Sequence, residues 1–176
     1  MSSSIITKKK IAKAFKQLLK TEQFDKISVR KIMEVADIRR QTFYDHFLDK
    51  YDLLSWIFVT ELQEQIIDNF TYSSGKNILK ELCIFFDDNK DFYRQLFLII
   101  GQNNFSSSLL LYCQQLLNKI VTEEGGDTTE PLMKELIHYH ALAISDSIRE
   151  RILAYQNLEN QYPVFELALL QLTKRR

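Results

Sequence analysis

Residues that break helices are scarce in this chain, and their scarcity narrows the folds open to it. Its 176 residues include four glycines, at 75, 101, 125 and 126, and two prolines, at 131 and 163. Long stretches of helix formers separate them, which predicts an all-α protein of about nine helices. A first helix is expected over residues 7 to 22, with Ile11, Phe15, Leu18 and Leu19 on one face and Lys9, Lys13, Lys16 and Lys20 on another. Ser28 is a good N-cap for a second helix. Ile27 and Ile32 have the spacing of a hydrophobic staple, and Val29, Ile32, Met33 and Ala36 supply a buried stripe. The chain then turns at Asp37 and Ile38. A short third helix is expected from Arg39 or Arg40 to about Phe47, with Phe43 and Phe47 facing inward. Asp49 would cap a fourth helix that carries Leu53, Leu54, Ile57 and Phe58 on its apolar face and reaches Phe70. The Tyr-Ser-Ser-Gly stretch at 72 to 75 would end it.

Five more helices are expected near 76–88, 91–103, 106–122, 131–157 and 162–174. Gly125 and Gly126 mark a loop over 123–130, and Pro131 and Pro163 suit the first turns of the helices they open. The helix over 131–157 is long. Ile137, Ala141, Ile144, Ile148, Ile152 and Tyr155 step along one face, with the small residues Ala143, Ser145 and Ser147 interspersed.

A composition of 45% hydrophobic and 26% charged residues fits a globular protein, and a chain of this length needs no disulfide or metal staple. The formal net charge is zero, which by itself speaks against a nucleic-acid partner. That zero is a cancellation. Residues 1–50 hold 12 Lys/Arg against 6 Asp/Glu, a balance of +6, and residues 51–176 hold 11 against 17, a balance of −6. Such asymmetry is a reason to look for a nucleic-acid contact in the basic part. Cys83 and Cys113 lie in apolar stretches and read as buried thiols of a reducing compartment. No apolar run is long enough for a signal peptide or a bilayer span, so a cytoplasmic location is expected.

Residues 28–47 read as helix, short turn, short helix, inside a three-helix unit begun by residues 7–22. That is the helix-turn-helix plan. Its second helix enters the major groove of B-DNA and reads base edges with its N-terminal residues. Here those residues are Arg39, Arg40, Gln41 and Thr42. Arg suits guanine, Gln suits adenine, and a Thr methyl suits the thymine methyl.

The run Ser-Val-Arg-Lys-Ile-Met-Glu-Val-Ala-Asp-Ile-Arg-Arg-Gln-Thr-Phe-Tyr-Asp-His-Phe-Leu-Asp-Lys-Tyr-Asp-Leu-Leu at 28–54 resembles the DNA-binding signature of the TetR family of transcriptional regulators. The Ile-x-x-x-Ala core, the Thr-Phe-Tyr-x-His-Phe run and the Asp-Lys-x-x-Leu-Leu end carry the likeness. The resemblance implies that Tyr44 and His46 lie near the DNA backbone and that Lys50 contacts phosphate. Ser28 and Lys50 would each open a helix whose N–H groups face phosphates. Two departures stand out. Asp37 occupies the turn where the family usually has Gly, and Arg39 stands where Ser or Thr often caps the recognition helix. Arg cannot accept a hydrogen bond, so which of Arg39 and Arg40 reads a base stays open.

The resemblance divides the chain into a DNA-binding domain, 1–50, and a helical regulatory and dimerisation domain, 51–176. Phe85, Phe86, Phe92, Phe97 and Phe105 would serve as core or line an effector pocket. Asn89-Lys90-Asp91-Phe92-Tyr93-Arg94, followed by Gly101-Gln102-Asn103, is similar to a subgroup of TetR-like regulators of dihydroxyacetone kinase. That likeness implies an activator, with metabolite sensed through a protein coactivator related to a kinase subunit. The alternatives are a repressor released by a small ligand and a helical interaction adaptor. A homodimer on a palindromic operator is expected, built on the last two helices. No cofactor or metal is expected. His138 and His140 are two apart and diverge by about 200° on a helix, and Asp87-Asp88 reads as a helix end. No nucleophile–base pair or phosphate loop suggests an enzyme.

Overall fold

In a computed structural model that describes residues 3–99 and 104–173, all regular structure is helical, as the scarcity of breakers predicts. Among the described residues there are nine α-helices: α1 Ser3–Leu19, α2 Val29–Ala36, α3 Gln41–Tyr44, α4 Lys50–Leu62, α5 Gly75–Asp88, α6 Lys90–Leu98, α7 Asn104–Glu123, α8 Pro131–Leu153 and α9 Tyr162–Thr173. Short 3-10 turns occur at Phe24–Lys26 and Glu159–Gln161, and a π turn at Gln63–Ile67 continues α4. The chain divides into two compact units, Met1–Val59 and Thr60–Arg176, with the division falling inside α4. The Gly101-Gln102-Asn103 stretch lies outside the described residues, and the helix expected over 91–103 ends earlier, at Leu98, where Ile99 turns extended (φ −70°, ψ 100°).

The first unit is built as its apolar pattern dictates. Ile11, Phe15, Leu18 and Leu19 of α1, Ile32, Met33 and Ala36 of α2, Phe43 and Phe47, and Leu53, Leu54, Ile57 and Phe58 of α4 are all buried. Ser28 caps α2, its Oγ accepting the Lys31 N–H at 3.3 Å. Asp37 ends α2 in the left-handed region (φ 51°, ψ 51°). The Ile38 N–H donates to Met33 O at 3.1 Å and the Asp37 N–H to Glu34 O at 3.2 Å, a Schellman closure. Asp tolerates this conformation better than most residues; a β-branched side chain does not. Asp37→Val is therefore expected to cost about 1–2 kcal/mol, with Asp37→Gly at least as stable as the parent. Urea midpoints of the three proteins give the order.

The fourth helix departs from expectation in its second half. It keeps α geometry only to Leu62 and then widens into the π turn, where the Asp68 N–H donates to Gln63 O at 3.1 Å. The Asn69 side-chain amide donates to Glu64 O at 3.2 Å and to Gln65 O at 3.0 Å, supplying partners for carbonyls at the end of that turn. Turns then follow, so the helix stops short of Phe70. The Tyr-Ser-Ser-Gly stretch does not close this helix; it opens the next. Ser74 caps α5 by accepting the Asn77 N–H at 3.3 Å, and Gly75 lets α5 approach α7 so closely that a Cβ there would collide with Ile120.

In the second unit α7 and α8 pack along each other most extensively. Met133, Ile137, Ala141, Ile144, Ile148 and Ile152 form the buried face of α8. Tyr155 does not extend that face. It sits at φ 59°, closing α8 through a Gln156 N–H bond to Arg151 O at 2.8 Å, and it is exposed. No glycine marks this stop, which is why periodicity alone overran it. Cys83 and Cys113 are buried and reduced, and burial pushes both thiols up to about 12. Phe86, Phe92 and Phe105 are core and Phe85 and Phe97 are half-buried; none of the five lines the open cleft of about 590 Å³ along α7 and α8. His138 pairs with the Gln114 amide at 2.7 Å rather than with His140.

The Asn-Lys-Asp-Phe-Tyr-Arg segment has a definite structural part. With Asp87 it clasps the link between α8 and α9. Asp87 accepts the Leu158 and Glu159 N–H groups, each at 2.9 Å, and meets the buried Lys90 ammonium at 3.0 Å. Lys90 also donates to Asn157 Oδ1 at 2.6 Å. The Tyr155 hydroxyl donates to Asp91 at 2.6 Å, and Arg94 Nε donates to Leu153 O at 3.2 Å, near the C-terminus of α8. Tyr93 is fully buried among Phe85, Phe86 and Phe92, and its hydroxyl donates to Glu61 at 2.5 Å. Burial and the adjacent carboxylate hold that phenol well above its ordinary pKa.

Candidate nucleic-acid interface

The second helix of the helix-turn-helix is short. Only Gln41–Tyr44 have regular α geometry, but hydrogen bonds extend the coil at both ends. The Thr42 N–H donates to Arg39 O at 3.0 Å and the Phe43 N–H to Arg40 O at 3.1 Å. Beyond Tyr44, the His46 and Phe47 N–H groups donate to Phe43 O at 3.0 and 2.9 Å. The coil thus begins at Arg39 and runs to Phe47, close to the extent that the sequence suggests. No side chain caps its start, as expected where Arg replaces Ser or Thr. Phe43 and Phe47 anchor the helix from below, 5.6 Å apart, and Phe47 meets Trp56 at 5.8 Å. The Lys8 ammonium lies 5.1 Å from the centre of the Phe47 ring and 5.7 Å from that of Trp56.

With one face so pinned, the opposite face is free for a partner. Arg39, Arg40 and Gln41 are exposed, and Thr42 and His46 are half-buried. Tyr44 is 48% exposed, its ring edge-on to Phe43 at 5.5 Å. Arg40 and Tyr44 are four apart and meet, Nη2 donating to the phenol oxygen at 3.5 Å. The structure thus groups a base-reading candidate with a backbone-contact candidate on one side of the helix. The i, i+4 spacing is the one sequence signal of this pairing.

The helix starts on either side are partly self-satisfied. The Ser28 hydroxyl already accepts the Lys31 N–H of α2. Asp49 Oδ1 accepts the Tyr51 and Asp52 N–H groups at 2.8 and 2.9 Å, while Asp52 accepts the Leu48 N–H at 2.9 Å. Asp49 therefore already occupies two of the donors expected to be open at the start of α4. Lys50 also has internal partners. Its Nζ donates to Phe24 O at 2.8 Å, to Ile27 O at 3.2 Å and to Asp25 O at 3.4 Å, and it lies 4.3 Å from the centre of the Phe24 ring. Around this head, Lys31 pairs with Glu22 at 2.7 Å and Arg30 with Glu34 at 2.7 Å. Both are surface pairs of small energetic weight.

Among the described residues no cluster of His, Cys, Asp and Glu could hold a metal ion, and no helix is long and apolar enough to cross a membrane. Residues 73–168 match the family model described as the TetR-type transcriptional regulator C-terminal region. Over 177 aligned residues, spanning 98% of this chain and 94% of the relative, the sequence is 39% identical to the HTH-type dhaKLM operon transcriptional activator DhaS of Lactococcus lactis subsp. lactis (strain IL1403). A solved structure of a dihydroxyacetone kinase operon activator, DhaS, superposes with a TM-score of 0.85, at 39% identity and 97% coverage of each chain. A helix-turn-helix with an exposed Arg-Arg-Gln face, a matching C-terminal region and end-to-end similarity to a regulator of known fold lead to one assignment: the chain belongs to the TetR family of DNA-binding transcriptional regulators and is not an enzyme.

Proposed function

We propose that this protein activates transcription of an operon encoding dihydroxyacetone kinase, binding a palindromic operator as a homodimer. The observation that supports this most is the 39% identity to a dihydroxyacetone kinase operon activator, sustained over 98% of the chain. The clasp formed by Asp87, Lys90, Asp91 and Arg94 gives the subgroup-like segment a structural reason to be kept. In this reading α8 and α9 pair with their symmetry mates. They leave Leu132, Tyr139, Leu142, Val164 and Leu167 exposed, an apolar set that a second copy would cover. Metabolite sensing runs through a protein coactivator that resembles a kinase subunit.

On DNA, Arg39, Arg40, Gln41 and Thr42 face base edges, while Tyr44, His46 and the α2 start at Ser28 face the backbone. Arg40→Ala or Gln41→Ala is expected to reduce discrimination at particular base pairs by about 1–3 kcal/mol. Tyr44→Ala should weaken all sequences alike. Binding to a panel of single-base operator variants separates the two patterns. The function itself is tested by selecting bound fragments from genomic DNA and transcribing the recovered promoter with and without the protein. Recovery of a kinase operon with increased transcript supports the proposal. Decreased transcript would make the protein a repressor, and no enriched palindrome would make it an interaction adaptor.

A further inference from the structure

We propose that Lys50 is a positioning residue of the DNA-binding head: its ammonium holds the segment that leads into α2 against the start of α4, instead of engaging a phosphate. This rests on the head binding DNA. An ammonium has three N–H donors and no acceptor. All three have carbonyl partners in the fold, on Phe24, Ile27 and Asp25 at 2.8, 3.2 and 3.4 Å. These carbonyls gather at the C-terminal end of the 3-10 turn Phe24–Lys26, where C=O groups concentrate negative potential; Phe24 O also accepts the Ile27 N–H at 3.1 Å. The Phe24 ring lies beneath the charge at 4.3 Å and is itself held edge-on by Tyr51 at 4.9 Å and Phe15 at 6.0 Å. Contact with a phosphate would require the ammonium to give up at least one of these bonds.

The location makes the clamp matter for recognition. Ile27 immediately precedes Ser28, the cap of α2, and α2 leads through the Asp37 turn into the recognition helix. Lys50 is the first residue of α4. One side chain therefore joins the start of α4 to the start of the helix-turn-helix, across 23 residues of sequence.

The test uses full-length wild-type, Lys50→Met and Lys50→Arg proteins and the selected operator duplex, at a temperature where circular dichroism shows each to be folded, over 50–300 mM salt. Lys50→Met is expected to bind about tenfold more weakly, with the plot of log affinity against log salt parallel to wild type. A slope shallower by about one per protomer, the sign of a lost phosphate contact, would overturn the proposal. So would unchanged affinity accompanied only by a lower melting temperature. Lys50→Arg covers the case in which Lys50→Met does not fold. A planar guanidinium cannot direct its donors at three converging carbonyls as an ammonium does, so weaker binding with an unchanged slope is expected. Equal or tighter binding, the usual outcome for Arg at a phosphate, would overturn it. If the wild type binds no duplex, the DNA-binding reading fails separately. Amide exchange at Ile27 in the free protein still reads the clamp, with about tenfold faster exchange expected in Lys50→Met and equal rates contradicting it.

Discussion

Replacing Asp87 with alanine should destabilise the protein by about 2–3 kcal/mol, below the ~3–5 kcal/mol of a fully buried ion pair because the Asp87 side chain stays 17% exposed. The side chain that would be stranded is Lys90, 8% exposed, which would keep the Asn157 amide oxygen as a hydrogen-bond acceptor and the Tyr155 ring at 5.8 Å but no charged partner. Two backbone donors, Leu158 and Glu159 N–H, would lose their acceptor as well. A chemical denaturation curve of full-length Asp87→Ala should show a lowered midpoint, with the largest gain in amide exchange at 154–161. Burial alone would raise the Asp87 carboxyl, but the two N–H groups and the Lys90 ammonium outweigh it and hold the carboxyl below its ordinary value. The charged form is favoured in the folded state, so the contribution is complete above about pH 4, the unfolded carboxyl value. It is lost as pH falls through the lower folded value. Between pH 5 and pH 3 the wild type should therefore lose more stability than Asp87→Ala, and the two curves should converge.

Operator affinity should fall about a thousandfold between 50 and 200 mM salt, although the chain carries no net charge. If each head neutralises about three phosphates, a dimer releases roughly six counterions, and affinity then scales with salt to about the minus fifth power. The +6 balance of residues 1–50 makes this possible while residues 51–176 carry the compensating −6. Fluorescence anisotropy across that salt range measures the slope. A flat response would show that the charge split is an accident of composition. Because Lys50 spends its donors internally, its replacement should leave this slope intact.

Much of the first unit was legible because its signals are local. The Ser28 cap, the Val29–Ile32–Met33–Ala36 stripe and the Asp37 turn each depend on residues within a few positions of one another, and all appear as read except that Val29, in the first turn, is only half-buried. The all-α layout followed from where Gly and Pro are missing. The ends of α4, α6 and α8 were misplaced because no breaker residue marks where each stops. The end of α8 is set by Tyr155 in a left-handed conformation that sequence rules reserve for Gly or Asn, and the second half of α4 widens with no breaker residue at all. At the interface, the exposed Arg-Arg-Gln face could be read from spacing. The partners of Lys50 could not, because they lie 23 to 26 residues away and are backbone carbonyls, which leave no trace in side-chain pattern. The clasp around Lys90 was hidden in the same way, its partners lying 64 to 72 positions distant in the Tyr155–Asp91, Lys90–Asn157 and Asp87 contacts.

The π turn at Gln63–Ile67 also constrains how this chain can vary in length. A π turn holds one residue more than the α turn it replaces, so it is equivalent to a single-residue insertion absorbed within a helix. Deleting one residue between 63 and 67 would restore α geometry and leave the phase of the flanking residues almost unchanged, because the wider turn spends its extra residue on nearly the same rotation as an α turn. Alignments with relatives that lack the turn should therefore open a one-residue gap here, which keeps residues of the same face together on both sides of it. Relatives that share the turn should share both its length and a side-chain donor at the position of Asn69.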